Sequence, residues 1–394
     1  MRKILLLVPF DIFPPFHGSG RLVYDLLKCI SSDNRIHLLL TRIHSQNTNG
    51  SPAQEGISVE YCPRSILDRL KMPSLLFNPL YFKAAERMMR DSHCDLIQCE
   101  TIYSVFAGIL MKMKFKKPLV FYNHNCEYSK FRDMGRKWYI TLPLKQIERF
   151  ACRLADRVVT LSEVDKRQHV ELLGIPEEKI EVIPPCQDLN KFKFTPEGRS
   201  AFRERYGVQD KEIILSFMGT FETVPNIEAV RKISEVIYPA IIKDYPDTKF
   251  LIVGRNAQYV LKYKKEKMIF TGYLHGQPYL DAISASDIIL VPLDLGSGIR
   301  VKILESAACS RPIVTTAKGV EGLDFVDQKE MMITPGVDDL FIKHIRNLIG
   351  NSALRDSLGR KAREKMENQY SSQKLSERFE KLYSRLTFAH SGGI

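Results

Sequence analysis

Arg300, Lys302 and Glu305 follow one another at short spacing behind a turn of small residues, Gly296-Ser297-Gly298. The turn comes after the apolar run Asp287-Ile288-Ile289-Leu290-Val291 and opens a helical pattern from Ile299 to about Cys309. Small residues let a backbone approach a ligand closely, and the first N–H groups of a helix face outward at the positive end of its dipole. Such a terminus attracts anions, and Arg300 and Lys302 in its first turn add formal charge. Glu305, on the neighbouring helix face, can accept hydrogen bonds from sugar hydroxyls. Cations beside a hydroxyl acceptor suit a nucleoside diphosphate-sugar. The plainer alternative is an ordinary strand–turn–helix whose Lys302 and Glu305 form a solvated salt bridge, and this stretch alone leaves the two readings even.

The elements that would hold these residues repeat along the whole chain. Apolar strands are expected at Lys3–Val8, Ile36–Leu40, Val59–Cys62, Leu96–Gln98, Leu119–Tyr122, Arg157–Thr160 and Glu181–Ile183. Helical patterns lie between them, at about Gly20–Ile30, Lys83–Arg90, Ser104–Met113, Leu144–Arg153 and Glu163–Leu173. The strands are too continuously apolar to be half exposed, so the alternation predicts a parallel sheet covered on both faces. Pro184-Pro185 breaks the pattern with a stiff, extended connection suited to a domain boundary. A second set follows, with strands at Ile213–Phe217, Lys249–Val253, Met268–Phe270, Ile288–Val291, Ile313–Thr315 and Glu330–Ile333. Its helices are expected near Asn226–Lys243, Pro278–Ala285 and Ile299–Cys309, and three more close the chain at Asp338–Leu348, Ala353–Asn368 and Gln373–Leu386. Two doubly wound α/β domains facing a cleft is the simplest architecture. Ligands of such sheets sit beyond the carboxyl ends of the strands.

The length of 394 residues suits two domains, and 44% hydrophobic with 26% charged residues is the composition of a soluble globular chain. Met1-Arg2-Lys3-Ile4-Leu5-Leu6-Leu7-Val8 has a short apolar run with no small-residue cleavage site behind it, and reads as a first buried strand, not a signal peptide. Eight scattered cysteines without a Cys-x-x-Cys pair predict reduced core thiols in a cytoplasmic protein. The net charge of +12 is uneven: residues 61–157 hold eighteen Lys and Arg against nine Asp and Glu. Within that region lie Ile66–Lys71, Lys112–Lys117 and Arg136-Lys137-Trp138-Tyr139. Basic residues interleaved with aromatics either meet an anionic membrane surface, placing the protein peripherally on the inner face, or form a solvated surface. Nucleic acid is not an expected partner, because no binding-module signature appears.

The unit from Asp287 to Leu323 resembles the donor-binding segment of family 4 retaining glycosyltransferases, which carry the GT-B fold. The likeness is specific at Gly298, Leu304-Glu305, the small residues Ser306-Ala307-Ala308-Cys309, and Pro312-Ile313-Val314. It departs at Ser297, where the family usually has a first glutamate eight residues ahead of the second. The resemblance is moderate around His124 and thin from about Gly50 to Met89.

What it implies is a two-domain division at 1–188 (acceptor side), 189–370 (nucleotide-sugar side) and 371–394, a final helix crossing back to the first domain. The expected reaction moves a sugar from a nucleoside diphosphate-sugar to a glycan or lipid-linked acceptor, with retention and no cofactor. Arg300, Lys302 and the backbone of Ser297, Gly298 and Ile299 would stabilise the departing diphosphate, and Glu305 would orient the ribose. Gly18, Ser19 and Gly20, in the loop Pro14-Pro15-Phe16-His17-Gly18-Ser19-Gly20, match a small-residue loop near the donor phosphates and acceptor. His124 follows strand Leu119–Tyr122; an isolated histidine is usually structural, but the family places one here against the transferred sugar. Asn123 and Glu127 are secondary candidates beside it.

Gly219 matches a family glycine, whereas the arginine that often follows is Thr220 here, so Arg300 is the expected substitute on the diphosphate. Lys232 is chosen as a helix-surface control for Arg300→Ala. Tyr273 and Leu274 match the loop that holds the nucleobase through backbone contacts. No Asp-x-Asp occurs in the chain, so no metal site is expected and the dipole with Arg and Lys would stabilise the leaving group. Two other readings stay open: a GT-B sugar-nucleotide epimerase, which would turn over donor without acceptor, and a degenerate binding subunit, suggested by Ser297 and Thr220.

Overall fold

The computed structural model describes residues 1–13, 18–41, 56–62, 78–296 and 298–391. Ser297, the Pro14–His17 part of the first loop and the Ile66–Lys71 stretch lie outside the described residues. The chain divides into two compact units, one of residues 1–186 with 372–394 and one of residues 187–371.

In the first unit, strands β1 (Arg2–Val8), β2 (Asn34–Thr41), β3 (Ile57–Cys62), β4 (Leu96–Glu100), β5 (Leu119–Asn123), β6 (Arg157–Thr160) and β7 (Ile180–Val182) pair in parallel. Their order is β3-β2-β1-β4-β5-β6-β7. The apolar run of β1 is fully buried from Ile4 to Val8, as a central parallel strand with helices on both faces requires. The last helix, Ser372–Ser391, packs on the Gly18–Ile30 helix of this unit, and Arg2 donates to Glu380 at 2.6 Å.

The second unit is a six-stranded parallel sheet of β8 (Ile213–Met218), β9 (Thr248–Val253), β10 (Met268–Gly272), β11 (Ile288–Val291), β12 (Ile313–Thr316) and β13 (Met332–Thr334). The order β10-β9-β8-β11-β12-β13 reverses between β8 and β11, just as the first sheet reverses between β1 and β4. At such a switch point, consecutive crossovers leave to opposite faces and open a crevice beyond the strand ends. These are the loops that carry most of the candidate residues.

Several elements differ from expectation for local reasons. The Trp138–Leu154 helix starts well before Leu144 and carries Pro143 in its second turn, at the loss of the hydrogen bond that residue 143 would give the Tyr139 carbonyl. The expected Asn226–Lys243 helix is Val224–Lys232, a π-turn over Ile233–Ile237, then Tyr238–Ile242. Pro239 supplies no N–H and crowds the carbonyl four residues back, and a wider turn there absorbs both effects. Helices Glu127–Asp133 and Pro196–Arg205 were not anticipated. The first is only seven residues long; the second has Pro196 at its first position, where a proline favours a helix start. All eight cysteines are free and buried, and among the described residues no helix is long and apolar enough to cross a membrane.

Candidate functional site

In the second unit the loop from β11 turns at Gly296 (φ 100°) and Gly298 (φ 80°), conformations that side chains disfavour. Helix Val301–Ala308 then begins with Arg300 in the capping position (φ −87°, ψ 88°), so Arg300 precedes the first turn where it was expected to lie within it. Its guanidinium reaches back: Nη1 donates to the carbonyl of Gly298, bracing the loop that carries it. Burial lowers the pKa of Arg300.

Lys302 is at the second helical position. Its Nζ donates to Asn226 Oδ1 at 3.0 Å and lies 4.1 Å from the centre of the Phe217 ring, at the end of β8. Burial first and the Arg300 charge second push its ammonium down to about 7, against an opposing pull from Glu305. Glu305 itself is 8% exposed and accepts from the Tyr279 hydroxyl at 2.6 Å. Burial of this kind rules out the solvated surface pair considered above.

Asn226 ties the two sides of the crevice together. Its Nδ2 donates to the Thr220 carbonyl at 2.9 Å while Oδ1 receives Lys302. Gly219, the preceding residue of that turn, leaves the room: a Cβ there would lie 3.0 Å from Asn226 Cγ. Tyr273 is exposed after β10, with the Arg255 guanidinium 4.1 Å over its ring and His275 stacked at 5.5 Å; Leu274 packs partly against the core. Lys232 is unsuitable as a control, since it pairs with Asp294 in the β11 loop.

The structure therefore gathers Gly219, Gly298, Ile299, Arg300, Lys302 and Glu305 around the β8/β11 switch point, with Asn226, Tyr279 and Phe217 as contacts not singled out in the sequence. Asn226 was expected only as the start of the Asn226–Lys243 helix, and a three-dimensional contact alone distinguishes it from any helix-start asparagine. Tyr279 carried no sequence signal beyond an aromatic in a helix.

In the first unit, Gly18, Ser19 and Gly20 form the opening turn of the Gly18–Ile30 helix, beyond β1, and are not a free loop. His124 follows β5 and is buried (1% exposed), its Nε2 2.7 Å from Glu100 Oε2 and its ring edge-on to Tyr122 at 5.1 Å. The loop that carries it is pinned by Glu148, a fully buried carboxylate. Glu148 accepts from Asn123 Nδ2 at 2.7 Å and from the backbone N–H groups of Glu127 and Tyr128 at 2.9 Å each. Burial raises the Glu148 carboxyl to about 7, against those donors. Asn123 also lies 3.0 Å from His169 Nε2, so its side chain is committed inside the unit. Glu127 pairs with Lys130 at 3.1 Å.

Residues 16–191 match the family described as Glycosyltransferase Family 4, and residues 212–351 match Glycosyl transferases group 1. The chain is 23% identical over 248 residues to a D-inositol 3-phosphate glycosyltransferase of Mycobacterium sp. (strain KMS), covering 60% of this chain and 54% of that protein. It thus spans about half the length of that curated relative. Among solved structures, sucrose-phosphate synthase from Thermosynechococcus elongatus has a TM-score of 0.80 at 17% identity, with 98% of this chain and 100% of that one covered. Anabaena HepE in complex with UDP and glucose has a TM-score of 0.75 at 17% identity over the same shares.

Proposed function

We infer, from a chain that is a GT-B-fold glycosyltransferase related to Glycosyltransferase Family 4 and Glycosyl transferases group 1, that it transfers a sugar from a nucleoside diphosphate-sugar to a glycan or lipid-linked acceptor with retention. The observation that carries the reading is the cation pair at the start of Val301–Ala308: Arg300 braced on Gly298, and Lys302 held on Asn226 with its proton loosened by burial. An ammonium poised near neutrality in a partly desolvated crevice regains its charge when an anion arrives. In this reading the diphosphate lies against Lys302, Arg300 and the backbone at Gly298 and Ile299, which stabilise it as it leaves without a metal ion. Glu305, held by Tyr279, takes the ribose hydroxyls; the Tyr273-Leu274 loop faces the base; and His124 contacts the transferred sugar. Gly18, Ser19 and Gly20 serve the acceptor side in the first of the two units.

Thermal shift in EDTA with UDP-glucose, GDP-mannose and ADP-glucose tests this. HepE, crystallised with UDP and glucose, makes UDP-glucose the first donor to try. Stabilisation by none of the three would sink the reading.

Lys302 adds a signed pH dependence. Because its unliganded pKa is about 7, the side chain is mostly neutral at pH 8 and must gain a proton on binding a diphosphate. Affinity for UDP is therefore expected to fall as pH rises above 7, with proton uptake at pH 8. Calorimetry in buffers of different ionisation enthalpy measures that uptake, and Lys302→Met should abolish it. Equal proton uptake in that variant would show that another group titrates.

The basic region of the first unit presents Trp138 (72% exposed) and Tyr139 (55% exposed) beside Arg136 and Lys137. In this reading the pair enters the headgroup layer of an anionic membrane, where a lipid-linked acceptor would be found. Co-sedimentation with phosphatidylglycerol vesicles but not phosphatidylcholine vesicles is expected, weakened in Trp138→Ala. Equal recovery with both lipids would remove the electrostatic part of this assignment.

A further inference from the structure

β4 reads Leu96-Ile97-Gln98-Cys99-Glu100, so Gln98 and Glu100 project from the same face of a strand that is buried throughout. Two polar side chains at 0% exposure inside a sheet are costly unless each is hydrogen-bonded. Here they form a chain that begins on the last helix. The Tyr383 hydroxyl lies 2.5 Å from Gln98 Oε1, Gln98 Nε2 lies 2.7 Å from Glu100 Oε1, and Glu100 Oε2 lies 2.7 Å from His124 Nε2. At its end Glu100 is followed by Thr101 with φ 66°, a left-handed turn that a β-branched residue takes only under constraint.

The first two links of this chain have a definite donor–acceptor sense. Tyr383 donates its proton to the Gln98 carbonyl, which turns the Gln98 amide nitrogen toward Glu100. That nitrogen is a donor only, so Glu100 Oε1 accepts. An Nε2–H on His124 continues this run of donors into Glu100 Oε2, 2.7 Å away. The other ring nitrogen, Nδ1, is buried and has no hydrogen-bond partner among the described residues. A buried polar atom left without a partner costs free energy that a ligand hydroxyl would recover.

We propose that Glu100 is the positioning residue of His124, fixing its Nε2–H tautomer so that Nδ1 is presented as an acceptor for a sugar hydroxyl, and that Gln98 and Tyr383 of the last helix orient Glu100. The inference rests on the reading that His124 meets the transferred sugar, but its structural half stands apart from that reading. The last helix then does more than cover the sheet: its phenol sets the polarity of a relay ending at the histidine.

Histidine-selective ¹⁵N NMR, assigned with His124→Ala, measures the tautomer directly. Wild-type protein without ligand should show an unprotonated Nδ1 and a protonated Nε2 at pH 7.5; an Nδ1–H signal there overturns the proposal whatever any variant does. In Glu100→Gln, Gln98 still requires an oxygen opposite its amide nitrogen, so the new amide must turn its own nitrogen toward His124. His124 should then switch to the Nδ1–H tautomer, with kcat for the stabilising sugar nucleotide about 10- to 100-fold lower and KM little changed. Retention of the wild-type tautomer and kcat in Glu100→Gln also overturns it. If the tautomer switches but His124→Ala turns over donor as fast as wild type, the positioning stands and the sugar-contact reading fails.

Discussion

Arg300→Ala is expected to lose the stabilisation that a sugar nucleotide gives the wild-type protein, while Lys361→Ala keeps it. Both changes remove one positive charge, but Lys361 is exposed on the Ser352–Gln369 helix and has no ion pair among those of the described residues. Arg300 is half-buried among the candidate residues of its unit and braces the Gly298 carbonyl, so alanine removes the guanidinium and releases the turn that shapes the backbone approach. Hydrogen bonds to charged groups contribute about 1.5–3 kcal/mol each, which converts to roughly 10- to 150-fold in Kd. Arg300→Lys should recover only part of this, because an ammonium cannot reproduce the fork that holds both Gly298 and a phosphate oxygen. The measurement is Kd for UDP, GDP and ADP by calorimetry at pH 7. Unchanged affinity in Arg300→Ala would remove Arg300 from the diphosphate site and end its expected role as the substitute for an arginine at Thr220.

The parts of this molecule that were readable from its residues share a physical cause. Continuous apolar strands such as β1 and β11 can be nothing but central strands of covered sheets, so both sheets and the carboxyl ends where ligands belong were legible. Gly296 and Gly298 were also informative, because a turn with positive φ before a helix needs them. What escaped was set by contacts between residues distant in sequence. Nothing near Lys302 announces that Asn226, on another crossover, will hold it, or that Phe217 will lie beneath it. Glu100 lay beyond the expected strand Leu96–Gln98; its contacts run through Gln98 to Tyr383, far along the chain. Lys232 looked like a solvated helix cation until the β11 loop placed Asp294 against it. Periodicity reports which face is buried, but not which polar partner waits there.

The glycines at the end of β8 and β9 offer a graded test of how tightly the crevice is built. Gly254→Ala should destabilise the protein severely: its Cβ would lie 1.6 Å from the carbonyl oxygen of Gly219 and 3.0 Å from the Phe221 ring. The obstruction is backbone, so no rotamer relieves it. The strand ends must part, straining the bonds from Gly219 N–H to Val253 and from Gly254 N–H to Gly272, both 2.9 Å. Overpacking in a well-packed site costs about 1–3 kcal/mol when side chains can yield, and a fixed carbonyl places this change at or above the upper end. The expected fall in Tm is about 6–12 °C for a unit of this size. Gly219→Ala first meets the Asn226 side chain, at 3.0 Å, which can swing aside. It should melt nearly as wild type yet bind nucleotide less well, because the Asn226 that moves is the one holding Lys302. Gly350→Ala, with nothing within 4 Å, serves as the neutral control. If Gly254→Ala melts with Gly350→Ala, the close approach of the two turns is wrong, and with it the placement of Asn226 beside the cation pair.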